Sequence, residues 1–254
     1  AVSSPSDAIA QLRTPAPFTH AETKDLPVVF LFPGQGSQHP GMGLETYAHE
    51  PAYREAFDAC AICFAGNDLD LHHLPDVNET RYTQPALFAT EYALGKLLLS
   101  WGITPSAMLG HSIGEYVAAT LAGVISLEDA TRLVALRSRL LWEQERGSML
   151  AVRLPEAGLK PLLPGNLDIA AHNAPGLTVV SGPADAIDTF AQALEAAGHQ
   201  ARKLHTSHAF HSRMMDPALE TFRAAFANIT LHPPRLAYIS NLTGQFITEA
   251  EATD

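Results

Sequence analysis

The sequence predicts an α/β fold that carries a compact β-α-β-β-α-β insertion. Three observations predict it. Residues 28–32 form a short apolar run that enters a glycine-rich loop at once. A second apolar run, Ala107-Met108-Leu109-Gly110, enters a G-x-S-x-G (Gly110-His111-Ser112-Ile113-Gly114) and a helix-like run to Leu121. Strand, sharp turn and helix is the context in which such a serine stands exposed at the top of a sheet. Residues 148–205 then alternate in the order strand, helix, strand, strand, helix, strand, which is the ferredoxin-like plan.

The chain of 254 residues has room for one large domain or two small ones, and its 46% hydrophobic and 17% charged residues suit a sizeable core. A net charge of -11 argues against a nucleic-acid partner, which usually meets a basic face. No apolar run approaches a membrane span and no signal-peptide layout opens the chain, so the expected location is the cytoplasm. Cys60 and Cys63 are spaced C-x-x-C inside a helical run over 52–64. Away from a strand–helix junction that spacing predicts two core residues rather than a redox pair or half a metal site.

Residues 1–27, rich in Ala, Ser, Pro and Thr, are expected to form a linker with little periodicity beyond 7–13. The loop Pro33-Gly34-Gln35-Gly36-Ser37-Gln38 lacks the third glycine of a dinucleotide fingerprint, because His39 stands there, and lacks the Lys of a P-loop. Two readings stay open: an ordinary strand-to-helix turn, or a tight loop in which Gln35 turns a donor toward a ligand. Helical segments follow over 45–64, interrupted near Pro51, and then a polar connector over 69–79 with solvent-facing His72 and His73. Thr83 as N-cap and Pro85 in the first turn mark a long helix that ends before Gly102.

Residues 126–146 predict another helix, with Ser126 as N-cap and Glu128 and Asp129 in its first turn. Its apolar stripe runs through Leu133, Val134, Leu140 and Leu141, and position 137 on that stripe is Arg137. A guanidinium on an apolar face needs an anion, either an internal carboxylate or the carboxylate of a ligand. After the insertion comes His205-Thr206-Ser207-His208-Ala209-Phe210-His211-Ser212. No Glu accompanies these histidines in a zinc-protease pattern, so no metal is expected. A general base for Ser112 is the more economical use of one of them, with His205 and His208 otherwise loop histidines. A helix over 214–228 and a strand over 236–240 close the pattern.

Taken together, these stretches resemble the malonyl-type acyltransferase domains of modular polyketide synthases and the related malonyl transferases of fatty-acid synthesis. The matching residues are Phe32-Pro33-Gly34-Gln35-Gly36-Ser37-Gln38, Thr83-Gln84-Pro85-Ala86-Leu87, Gly110-His111-Ser112-Ile113-Gly114-Glu115, Leu133-Val134-Ala135-Leu136-Arg137, Asn173-Ala174-Pro175, His208-Ala209-Phe210-His211-Ser212 and Ser240-Asn241-Leu242-Thr243-Gly244, in the family's order across 28–254. The resemblance implies an α/β-hydrolase-like core with a parallel sheet (28–147 and 206–254) and a ferredoxin-like subdomain (148–205). Residues 1–27 would then end a ketosynthase-to-acyltransferase linker. It implies Ser112 as nucleophile, His211 as its base, Gln35 and the Ile113 N–H as oxyanion hole, and Arg137 as the site for the malonyl carboxylate.

The resemblance also implies malonyl-CoA as donor and the phosphopantetheine thiol of an acyl carrier protein as acceptor, with no bound cofactor and a neighbouring ketosynthase. No carboxylate is expected behind His211, which leaves Asp168, Asp185 and Asp188 outside the site. His208 and Phe210, as His-Ala-Phe-His, accompany malonyl rather than methylmalonyl use, and Phe210 would fill the space of an α-methyl. Family domains continue past a point like Asp254 into a Tyr-Trp and a His-Leu-Arg segment, so the chain is expected to be C-terminally shortened. The alternatives are a serine esterase or thioesterase of α/β-hydrolase type, indifferent to Arg137, and a silent docking domain.

Overall fold

A computed structural model describes residues 4–13 and 26–254. The expected linker therefore lies partly outside the described residues. Its described residues are 4–13, which hold helix α1 (Pro5–Arg13) with no buried side chain, and 26–27.

The chain forms an α/β fold with two sheets. In the first, β1 (Val29–Phe32), β2 (Ala107–Gly110) and β7 (Tyr238–Ile239) run parallel, with β2 in the centre. The register pairs Phe32 with Gly110, so the loops leaving β1 and β2 emerge side by side at the carboxyl edge. That edge is where ligand sites of parallel sheets form. The core beside it gathers Phe30, Phe64, Phe88, Met108, Val117, Leu133 and Val134.

The helices around this sheet follow the sequence expectations except at the start of the long helix after residue 79 and over 214–228. α2 (Leu44–His49) and α3 (Pro51–Ala65) are separated at Glu50 because Pro51 fits the first turn of a new helix. On α3, Cys60 is fully buried, and that burial pushes its thiol above the ordinary range. The C-x-x-C thus contributes packing to the core. His72 and His73 are both exposed, as expected, and the His72 ring sits edge-on to the rings of Tyr47 and Phe57.

Helix α4 (Thr80–Ser100) starts ahead of the expected cap. Thr83 is no N-cap: its fully buried hydroxyl donates back to the carbonyls of Val77 and Glu79, at 2.7 and 3.0 Å. Pro85 lies inside the helix and is accommodated there with helical turns on both sides. Helix α5 (Ile113–Ala122) follows β2, and α6 (Leu127–Trp142) is capped by the Ser126 hydroxyl accepting from Asp129 N–H at 3.0 Å.

The second sheet is antiparallel, built from β3 (Ser148–Val152), β4 (Asp168–Ala174), β5 (Leu177–Gly182) and β6 (Ala201–Lys203) in the order β4-β5-β3-β6. Helices α7 (Glu156–Leu159) and α8 (Ala184–Ala196) connect its strands and share a core of Leu150, Val152, Leu159, Val180, Ile187, Phe190 and Leu194. The single helix expected over 214–228 is broken instead. A 3-10 turn over Arg213–Ala218, α9 (Leu219–Ala224) and a second 3-10 turn over Ala225–Asn228 replace it, with Pro217 inside the first. A short α10 (Glu249–Ala252) closes the described chain.

Candidate active site

The two glycines that flank the serine are required by space. A Cβ on Gly110 would sit 2.2 Å from the Glu115 N, and one on Gly114 would sit 2.2 Å from the Phe32 carbonyl oxygen. The turn between β2 and α5 therefore presses directly on its neighbours, and Ser112 adopts φ 53 and ψ -108. A positive φ on a non-glycine residue costs on the order of 1–3 kcal/mol, and such strain gathers at functional sites. Among the described residues only Asp68, Ser112 and His211 carry it.

Those last two meet. Ser112 Oγ lies 3.0 Å from His211 Nε2. The imidazole is pushed down to about 4, first by burial and then by the positive charge of Arg137 and the nearby His111. It is neutral at pH 7 and able to accept a proton. No carboxylate stands behind it among the described residues: Asp168 holds Arg213 through its backbone and guanidinium at 2.6–3.1 Å, Asp188 holds Lys203, and Asp185 accepts from Ala186 N–H at 2.8 Å.

The Ser112 N–H is occupied, donating to Asn241 Oδ1 at 2.9 Å, while Asn241 Nδ2 donates to the Gly110 carbonyl at 2.6 Å. One carboxamide thus clasps both sides of the strained turn from the segment after β7. The next N–H along, that of Ile113, opens helix α5 and has no intrahelical partner by position. Gln35 follows β1 on the neighbouring loop. Its side chain is tied back, donating from Nε2 to Thr80 Oγ1 at 3.1 Å. Neither the Gln35 N–H nor the Ile113 N–H donates to a protein group among the described residues. His111 turns the other way and reaches Asn173 Oδ1 on β4 at 3.2 Å, which joins the inserted sheet to the serine turn.

Arg137 reaches the same serine from α6. Its Nη2 donates to Ser112 Oγ at 3.2 Å, its Nη1 donates to Gln84 Oε1, and its guanidinium lies 5.9 Å from the Tyr116 ring. Burial pushes the guanidinium below its ordinary value, but the group remains a cation at any physiological pH. Among the described residues no carboxylate pairs with it. The internal-carboxylate alternative is thereby excluded for these residues.

His208 is not a loop histidine in solvent. It is 1% exposed, with Nδ1 2.7 Å from Ser207 Oγ and Nε2 3.1 Å from the Trp142 carbonyl. Its ring meets Phe210 at 5.8 Å between centroids. Phe210 in turn walls a cavity of 260 Å³ with Arg137, Leu141, His211 and Met215. His205 is exposed. The contributions of Gln84, Thr80, Asn173 and Asn241 were not read from the sequence. The visible signal for Gln84 was a polar side chain directly before Pro85 at the head of an apolar helix.

The matches to known proteins agree with one another. Residues 29–253 match the family model described as "Acyl transferase domain". A phenolphthiocerol/phthiocerol polyketide synthase of Mycobacterium tuberculosis is 42% identical over 234 residues, covering 89% of this chain and 16% of that protein. The spectinabilin polyketide synthase system protein NorB of Streptomyces orinoci is 40% identical over 260 residues, covering 96% of this chain and 12% of the relative. The chain therefore spans a small part of these curated relatives. Among solved structures, the acyltransferase domain from the second module of the salinomycin polyketide synthase superposes with TM-score 0.87 at 39% identity, covering 99% of this chain and 64% of that one. FabD from Acinetobacter baumannii superposes with TM-score 0.81 at 29% identity, covering 88% of this chain and 75% of that one.

Proposed function

This chain belongs to the acyltransferase-domain family of polyketide synthases, and on that premise we propose that it loads a malonyl unit from malonyl-CoA onto the phosphopantetheine thiol of an acyl carrier protein through an ester on Ser112. The observation that carries the proposal is the Arg137 guanidinium, donating to Ser112 Oγ at 3.2 Å with no carboxylate partner among the described residues. A cation beside the nucleophile suits an acyl group with a free carboxylate at its far end. A plain esterase of neutral esters has no use for it. A silent docking domain has no use for a serine and a histidine held 3.0 Å apart in strained conformations.

In this reading His211 Nε2 takes the Ser112 proton as Oγ attacks the thioester carbonyl. The N–H groups of Ile113 and Gln35 receive the oxyanion, and one such donor is worth about 3 kcal/mol in the transition state. The tetrahedral intermediate collapses, the C–S bond breaks, and the imidazolium returns its proton to the departing CoA sulfur. A carrier-protein thiol then attacks the ester, with His211 accepting the thiol proton and passing it to Ser112 Oγ. Phe210 and His208 narrow the acyl pocket against an α-methyl. We further read the parallel unit (28–147 and 206–254) as a hydrolase-like core and 148–205 as a ferredoxin-like subdomain, supported by the strand order β4-β5-β3-β6. Residues 1–27 read as the linker from a preceding ketosynthase, and the CoA donor suits a cytoplasmic location.

The test is mass spectrometry after incubation with malonyl-CoA. A malonyl ester on the peptide containing Ser112, lost in Ser112→Ala and passed on to a carrier-protein thiol, is the expected result. An unmodified Ser112 in folded protein would overturn the proposal.

A further inference from the structure

The partner that Arg137 does have is a neutral one. Gln84 is 2% exposed, and its Oε1 accepts from Arg137 Nη1. Its Nε2 donates onward to Gln35 Oε1 at 3.5 Å, and Gln35 Nε2 donates to Thr80 Oγ1 at 3.1 Å. Thr80 Oγ1 lies 3.4 Å from Ser207 Oγ, and Ser207 Oγ lies 2.7 Å from His208 Nδ1. His208 Nε2 ends the path on the Trp142 carbonyl at 3.1 Å. Donor and acceptor roles can be assigned along the whole path in one direction. The guanidinium can only donate and the Trp142 carbonyl can only accept. Each amide accepts on its oxygen and donates from its nitrogen, each hydroxyl does the same, and His208 is left neutral with its proton on Nε2. Hydrogen bonds that run in one sense polarise one another, so the guanidinium and His208 terminate one network.

We propose that Gln84 is a specificity-determining positioning residue, whose carboxamide aims Arg137 at the acyl carboxylate without neutralising it and couples that arginine through Gln35 and Thr80 to His208. The proposal rests on the carboxylate-binding reading of Arg137 given above. Its physical content is the choice of amide over acid at a buried position 53 residues away in sequence. A glutamate of the same shape would keep the contact with Arg137 and supply the anion itself, while giving up the N–H that Gln35 accepts. A bound acyl carboxylate would then compete with an internal one. The same amide nitrogen holds Gln35, whose backbone N–H is a proposed oxyanion donor. The carboxylate site and the oxyanion loop are thus fixed by one side chain.

The experiment is loading from an equimolar mixture of malonyl-CoA and acetyl-CoA, read as the ratio of the two acyl masses on the protein, for wild type, Gln84→Glu, Gln84→Leu and Arg137→Ala. Gln84→Glu is isosteric and is expected to shift the malonyl-to-acetyl ratio toward acetyl by at least about tenfold, the effect of one charge-assisted hydrogen bond. Gln84→Leu, which unfastens the guanidinium without neutralising it, should shift the ratio in the same direction by less, with a raised KM for malonyl-CoA. A purely structural role would lower both acylations together and leave the ratio fixed. A wild-type ratio in Gln84→Glu, with a shifted ratio in Arg137→Ala, overturns the role of Gln84. A wild-type ratio in Arg137→Ala overturns the carboxylate reading beneath it.

Discussion

Two ionisable side chains in this molecule are withdrawn from water with no opposite charge to meet them among the described residues, and they take opposite solutions. Arg137 sits on α6 beside Ser112, donating to Gln84, to Ser112 and toward the Tyr116 ring. Glu91 sits on α4, 7% exposed, with neither carboxylate oxygen meeting a hydrogen-bond partner among the described residues. Burial alone pushes Glu91 up to about 8. The acid therefore gives up its charge at neutral pH, as an isolated buried carboxylate does. The guanidinium cannot give up its charge, and its neighbours are neutral acceptors that steer it. The contrast separates a polar group that is merely tolerated from one that is prepared for a ligand. A prepared group is oriented by partners that leave its charge available.

The largest effect that would sharpen this contrast is at Arg137. Arg137→Ala is expected to lower kcat/KM for malonyl loading by roughly 100-fold or more, the scale of removing one partner of a desolvated ion pair. A steady-state loading assay with malonyl-CoA and with acetyl-CoA measures it, and an equal loss for both donors would erase the distinction. Glu91 should respond in stability and leave the chemistry alone. Its folded-state value is raised from an ordinary 4.5 to about 8, so the stability that the protonated acid allows is fully present below about 4.5 and is lost as pH rises through 8. Glu91→Gln should flatten that loss and stabilise the protein by about 4 kcal/mol at pH 8. Denaturation midpoints at pH 5 and pH 8 would show it, and parallel curves for the two proteins would mean that Glu91 finds a partner. The smallest effect concerns the pocket wall. Changing His208→Tyr together with Phe210→Ser should raise methylmalonyl loading relative to malonyl by about tenfold, within the 1–3 kcal/mol that one methyl group commands. Competition between the two acyl-CoAs reads this directly, and an unchanged ratio would put the pocket wall elsewhere.

How much of this was legible in the sequence depends on whether a property is local. The short apolar runs that became β1 and β2, the helix break at Pro51 and the Ser126 cap are local patterns, and each formed where the residues indicate. Arg137 was visible as a cation on an apolar stripe, but its freedom from a carboxylate was not, because the alternatives lay on other elements. The true start of α4 was hidden because Thr83 uses its hydroxyl inward, against Val77 and Glu79, in place of capping. From its neighbours alone His208 passes for a loop histidine, because nothing nearby in sequence announces Trp142, 66 residues before it, as its acceptor. Asn241 and Gln84 act only through partners more than 50 residues away or, for Gln35, nearly so. Polar groups of that kind become meaningful once the fold brings the acceptors to them.

The claim at the centre of this account is that Ser112 carries an acyl group whose carboxylate lies on Arg137. Intact-mass analysis of the wild-type protein after exposure to equal concentrations of malonyl-CoA and acetyl-CoA tests it most directly. The account predicts a malonyl ester on Ser112 in clear excess over acetyl. Equal occupancy by the two acyl groups, or an excess of acetyl, would contradict it.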